Sequence, residues 1–100
     1  MKIGLVYDPI YLKHDTGCHV ENASRLAEVM SLLESSHLKE HLIALQPRSA
    51  SVDELQQVHA AEHISRIESS ALAGGGWLDG DTVTCKHSYE VALYAAGGAI

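Results

Sequence analysis

The sequence predicts an α/β fold built on a parallel strand pair, and three observations carry that reading. A run of β-formers from Ile3 to Tyr7 ends at Asp8-Pro9, a helical pattern begins after Asn22, and a second apolar run, Leu42 to Leu45, stops before Pro47. A helix between two strands is the usual crossover of a parallel pair, since antiparallel neighbours need only a tight turn.

The first strand is read from Ile3, Leu5 and Tyr7 alternating with Gly4 and Val6. From Ile10 to Asn22 the pattern gives way to His14-Asp15-Thr16-Gly17-Cys18-His19, a polar, turn-prone loop of the kind that often carries chemistry after a strand. Asn22 is a suitable helix cap, because its side-chain oxygen can accept an otherwise unpaired first-turn N–H. Ala23, Leu26, Ala27, Met30 and Leu33 then recur at helical spacing, with Ser24, Arg25, Glu28 and Glu34 opposite. His37 to His41 is long enough for one helical turn, and Leu42 to Leu45 reads as a buried strand.

Ser51 and Glu54 fit a reciprocal capping box, which predicts a short helix to about Val58. Ala60, Ile64, Ile67 and Ala71 share the face of a further helix that Gly74-Gly75-Gly76 should end, leaving a loop from Gly74 to Asp81 with the single Trp. Ser88 is the expected cap of a last helix containing Val91, Leu93, Tyr94 and Ile100. Gly97-Gly98 within it costs about 1 kcal/mol each relative to Ala and implies close approach by another element, for which the sequence suggests no partner. The absence of a stop signal at Ile100 makes the expected object an incomplete portion of one domain, residues 1–100, with no internal boundary.

The chain has 100 residues, 7 Lys plus Arg against 13 Asp plus Glu, and a formal charge of −6. No basic patch is visible, which excludes nucleic acid and anionic lipid as expected partners, since both are held by neutralising phosphate. The longest uncharged stretch, Val91 to Ile100, is far short of the ~20 residues of a membrane span. Cys18 and Cys85 do not form a disulfide-scaffold pattern, so a reducing, cytoplasmic setting is expected.

Seven His residues invite a search for metal sites. His37 to His41 with Glu40, and His59 to His63 with Glu62, both match H-x-x-E-H, a pattern that on a continuous helix turns two imidazoles to one zinc. Neither has an identifiable third ligand, and a solvated face accounts for the first. The loop residues His14, Asp15, Cys18 and His19 are also ligand types, and Cys85 and His87 can complete a set only if the fold brings them near. Asp79-Gly80-Asp81-Thr82 resembles part of a calcium loop but lacks its later ligands, so a polar turn is expected. A carboxylate at such a tip can accept N–H donors from a substrate, and Asp81 is the candidate for that role.

Taken in order, Tyr7-Asp8-Pro9, His14 to Glu21 and Arg25-Leu26 resemble the opening of the zinc-dependent histone deacetylase superfamily, in its class II-like, acetoin utilisation and acetylpolyamine amidohydrolase branch. Pro47-Arg48, Glu54-Leu55, Val58-His59 and Glu62 resemble its next block, and Gly74 to Thr82, Ser88-Tyr89-Glu90 and Gly97-Gly98 the one after. The resemblance implies the amino-terminal part of an arginase-like three-layer α/β fold, truncated. It implies a parent enzyme that removes acetyl groups from acetyl-lysine or acetylated amines with zinc-bound water. By resemblance, Asp81 is the rim carboxylate that holds the substrate backbone, and Arg25 lines the inner cavity associated with acetate release, with His19 beside it.

Val20 stands where the family commonly has Pro, and Asn22 where some class II members place a ligand of a structural zinc, so no such zinc is expected here. The family's paired catalytic His, its zinc ligands and its transition-state Tyr are not among these residues. The chain alone is therefore expected to hold no zinc, to be inactive, and to self-associate through apolar surface meant for missing strands. A non-catalytic α/β binding module is the alternative, and a small H-x-x-E-H zinc protein a more distant one.

Overall fold

In the computed structural model, which describes residues 1–100, strand β1 (Ile3–Val6) lies parallel to β2 (Leu42–Leu45), with Ile3 opposite Leu42 and Val6 opposite Leu45. The crossover helix α1 (Ala23–Ser35) is capped by Asn22, whose Oδ1 accepts the Ser24 N–H at 3.0 Å. Ser36 ends α1 by donating its N–H to Leu33 and starts the 3₁₀ turn His37–His41 by accepting the Leu38 N–H at 3.2 Å. The expected parallel βαβ unit is present. A second 3₁₀ turn, Pro9–Lys13, stands where Asp8-Pro9 is read only as a strand end; Asp8 caps it by accepting the Ile10 N–H at 2.9 Å, with Pro9 at its first position.

The capping box forms as its residue types require. Ser51 Oγ accepts the Glu54 N–H at 3.1 Å, and the Glu54 carboxylate accepts the Ser51 N–H at 2.9 Å. Helix α2 (Val52–Leu55) then continues as turns, with the N–H groups of Val58 and His59 both bonded to the Leu55 carbonyl. Helix α3 (Ala61–Leu72) buries Ile64 and Ala71, two of the four residues expected on its inner face; Ala60 lies outside the helix at its cap, exposed.

Gly74 and Gly75 take φ of 93° and 101°, a region nearly closed to residues with a Cβ, and turn the chain out of α3. The loop expected after this turn is instead partly a hairpin: Gly75–Trp77 is a strand, β3, paired antiparallel with β4 (Val83–Cys85). The β3 sequence lacks the β-branched alternation that signals a strand, and pairing eight residues away supplies the order instead. Thr84, buried, accepts the Gly76 N–H at 3.1 Å through Oγ1 and bonds to Ser70 Oγ at 2.5 Å, tying the hairpin to α3.

Helix α4 (Ser88–Ala99) begins one residue differently from expectation: His87 occupies the cap position, and Ser88 is the first helical residue. The packing partner of its glycines also corrects the sequence reading. A methyl group on Gly97 would overlap the Arg48 carbonyl, and one on Gly98 would meet Tyr11 and Val6. The Ala50 N–H donates to the Leu93 carbonyl at 2.9 Å, and the Tyr11 hydroxyl to the Tyr94 carbonyl at 3.0 Å. Small residues in α4 thus let the Arg48–Ala50 segment and Tyr11 lie directly against the helix backbone.

The resulting body is a slab of 43 × 33 × 17 Å. Its Cα radius of gyration is 15.1 Å, above the roughly 13 Å of a closed 100-residue domain. Seven residues are buried, and β2, expected to be buried, leaves Ile43 and Leu45 about half exposed. Ile43 and Leu45 share their sheet face with Gly4 and Val6, and α4 covers that face only in part, where Gly98 meets Val6.

Candidate functional site

Two loops meet at one end of the slab. The segment from Lys13 to Asp15 is strapped to the junction of β4 and α4. His14 Nδ1 lies 2.7 Å from Ser88 Oγ, which also accepts the Cys85 N–H at 2.8 Å. Cys85 Sγ receives the Asp15 N–H at 3.2 Å and faces the Lys13 carbonyl at 3.3 Å. Burial pushes the Cys85 thiol up, but hydrogen bonds from Asp15 N–H, Ser88 Oγ and His87 N–H outweigh it and hold the thiol below its ordinary value.

The far end of the same loop reaches Asp81. His19 Nε2 stands 2.6 Å from Asp81 Oδ1, and His19 Nδ1 accepts the Glu21 N–H at 3.0 Å. Accepting at Nδ1 requires a lone pair there, so the proton sits on Nε2 and is donated to the carboxylate. The His19 side chain is 14% exposed and that of Asp81 91%. Asp81 crowns a polar turn, as expected: Asp79 accepts the Asp81 N–H at 2.8 Å and the Thr82 hydroxyl at 3.1 Å, and the Leu78 N–H closes on the Thr82 carbonyl at 2.7 Å. The bonds from the Asp81 amide first, and then from Thr82, hold the Asp79 carboxyl below the usual range.

Arg25 occupies the first turn of α1 and pairs with Glu21, four residues earlier; its side chain is 64% exposed. In this chain it is a surface ion pair. His19 spends both ring nitrogens on Glu21 and Asp81. The family resemblance associates His19 with Arg25, whereas the 62-residue contact to Asp81 has no sequence signature.

The ligand-type residues of the loop disperse. His14 goes to Ser88, Asp15 Oδ1 accepts the Gly17 N–H, Cys18 is exposed and His19 goes to Asp81. The fold does bring Cys85 to the loop, but as a partner of Asp15 and Ser88. His59 precedes the cap of α3 while His63 lies within it, so their rings, 5.1 Å apart, do not project from one helix. His37 and His41 bound a 3₁₀ turn, whose three-residue period does not stack positions four apart. No three His, Cys, Asp or Glu side chains converge anywhere in the chain in a group that could hold a metal ion.

The loops thus present one exposed carboxylate, Asp81, held by the His19 imidazole. The histone deacetylase domain matches residues 19–100, and the chain belongs to that family. It is 36% identical over 96 residues to a probable deacetylase of Methanothermobacter thermautotrophicus, covering 96% of this chain and 28% of that protein. A probable deacetylase of Archaeoglobus fulgidus is 35% identical over 103 residues, covering 100% of this chain and 28% of its own length. The crystal structure of the HDA15 HD domain superimposes with a TM-score of 0.88 over 95% of this chain and 29% of that one, at 23% identity, which shows the fold. The chain thus spans under a third of these three proteins.

Proposed function

We propose that these residues form the rim of a zinc-dependent amide hydrolase that removes acetyl groups from acetyl-lysine or from acetylated amines. The observation that carries the reading is Asp81, a 91%-exposed carboxylate braced at 2.6 Å by a mostly buried imidazole, in a chain of the deacetylase family. A carboxylate so presented accepts N–H donors of a substrate by charge-assisted hydrogen bonds, which orient the acyl amide without chemistry of their own.

Zinc, in this reading, is held by residues of the full polypeptide outside this segment. Arg25 is the acetate partner. Its guanidinium is permanently charged and binds carboxylates in bidentate fashion, and its present partner is already a carboxylate, that of Glu21. Because an exposed pair of that kind contributes little, exchanging Glu21 for product acetate costs little. Nucleic acid and membrane have no part in the proposal.

The test is an acetyl-lysine peptide hydrolysis assay with added zinc, run on the 100-residue chain and on the full polypeptide. The full polypeptide should turn over the peptide and the short chain should not. Zinc-dependent turnover by the short chain overturns the division of labour, and an inactive, zinc-loaded full polypeptide favours the binding-module alternative.

A further inference from the structure

We propose that His19 is the positioning residue of the substrate anchor: its ring fixes one carboxylate oxygen of Asp81 and leaves the other presented to an N–H donor of the substrate. This rests on the anchoring role of Asp81 proposed above.

Asp81 sits on the tip of a turn, and the only side-chain hydrogen bond of its carboxylate is the one from His19. Without that bond the carboxylate would sample several rotamers in water, and substrate binding would have to order it. His19 is built to prevent this. Its N–H donates to the Thr16 carbonyl at 3.4 Å, and its carbonyl accepts Asn22 Nδ2 at 3.0 Å. Asn22 is itself the cap of α1, so the ring inherits its placement from a thirteen-residue helix. The Glu21 N–H at 3.0 Å from Nδ1 then selects the tautomer that donates from Nε2.

The arrangement is directional. A neutral imidazole donating to Oδ1 leaves Oδ2 with full acceptor capacity and keeps the negative charge of the pair. The anchor therefore accepts an amide N–H or an ammonium and repels a carboxylate. His19 touches no reacting atom; it acts through Asp81, as a support whose geometry sets how well a carboxylate is pre-ordered.

Two measurements test this. On the 100-residue chain, nitrogen NMR of the His19 ring should show a protonated Nε2 and an acceptor Nδ1, and Asp81→Ala should shift the Nε2 signal. A protonated Nδ1, or a ring indifferent to Asp81→Ala, overturns the proposal. In the full polypeptide, His19→Ala should raise KM for an acetyl-lysine peptide on the order of tenfold, as loss of a charge-assisted hydrogen bond does, with kcat nearly unchanged. His19→Gln, which keeps an N–H donor, should recover most of the loss, and His19→Ala should add nothing in an Asp81→Ala background. A loss in kcat, or an equal effect in that background, overturns the positioning role. If Asp81→Ala itself leaves KM unchanged, the anchoring reading fails, and the NMR result still decides whether His19 holds the carboxylate.

Discussion

His14 Nδ1 and Ser88 Oγ, 74 residues apart in sequence, meet at 2.7 Å and join the loop after β1 to the start of α4. Ser88 is 6% exposed and also receives the Cys85 N–H, so its hydroxyl serves three elements. Ser88→Ala leaves a partly buried imidazole nitrogen and an amide without partners. It should lower unfolding stability by about 1–3 kcal/mol in urea titration. His14→Ala should cost less and lose most of its effect in the Ser88→Ala background; full additivity would show that the strap does not exist.

A second expectation concerns acid. Hydrogen bonds from Arg48, two of them at 2.7 and 2.8 Å, and from the Ser51 N–H lower the Glu54 carboxyl from 4.5 to about 2. A folded-state value below the unfolded one means stability that is fully present above pH 4.5 and is lost as pH falls toward about 2. The effect is small because the pair faces solvent. Thermal midpoints measured across that window should fall less steeply for Glu54→Gln than for the parent chain; identical slopes would contradict the assignment.

A third concerns the seam under α4. Gly97→Ala must displace the Arg48 carbonyl, and overpacking of backbone against backbone should cost about 1–3 kcal/mol, read as a lower urea midpoint. Gly76→Ala has nothing within 4 Å of the added methyl and serves as the control. Equal stability of Gly97→Ala and the parent would mean that the segment does not lie on the helix.

These contacts mark what was legible in the sequence. Local chemistry was: the Asn22 cap, the Ser51–Glu54 box and the strand ended by Asp8-Pro9 are decided by neighbours a few residues apart. The parallel pairing followed from the order of elements. Long-range pairing was not legible. Gly75–Trp77 becomes a strand only because Val83–Cys85 lies beside it, Gly97 is explained only by Arg48, and Ser88 serves as a junction instead of a cap. At the candidate site, the polar turn bearing Asp81 was legible in its local residues, whereas the direction of the His19 ring depends on a contact across 62 residues.

The open faces carry a fourth expectation. Leu32, Val58, Leu72 and Ile100 are each at least 67% exposed in a slab 17 Å thick, and apolar surface of that extent drives association. We propose that the isolated 100-residue chain self-associates. Light scattering should show apparent mass rising with concentration, and a constant monomer mass would contradict it.

In the function proposed above, Asp81 anchors the substrate of a deacetylase whose metal ligands lie outside these residues. The most direct measurement is kcat/KM of the full polypeptide on an acetyl-lysine peptide, parent against Asp81→Ala. Loss of the charged anchor should lower it by about tenfold or more with zinc content unchanged. An undiminished kcat/KM in the variant would contradict the claim.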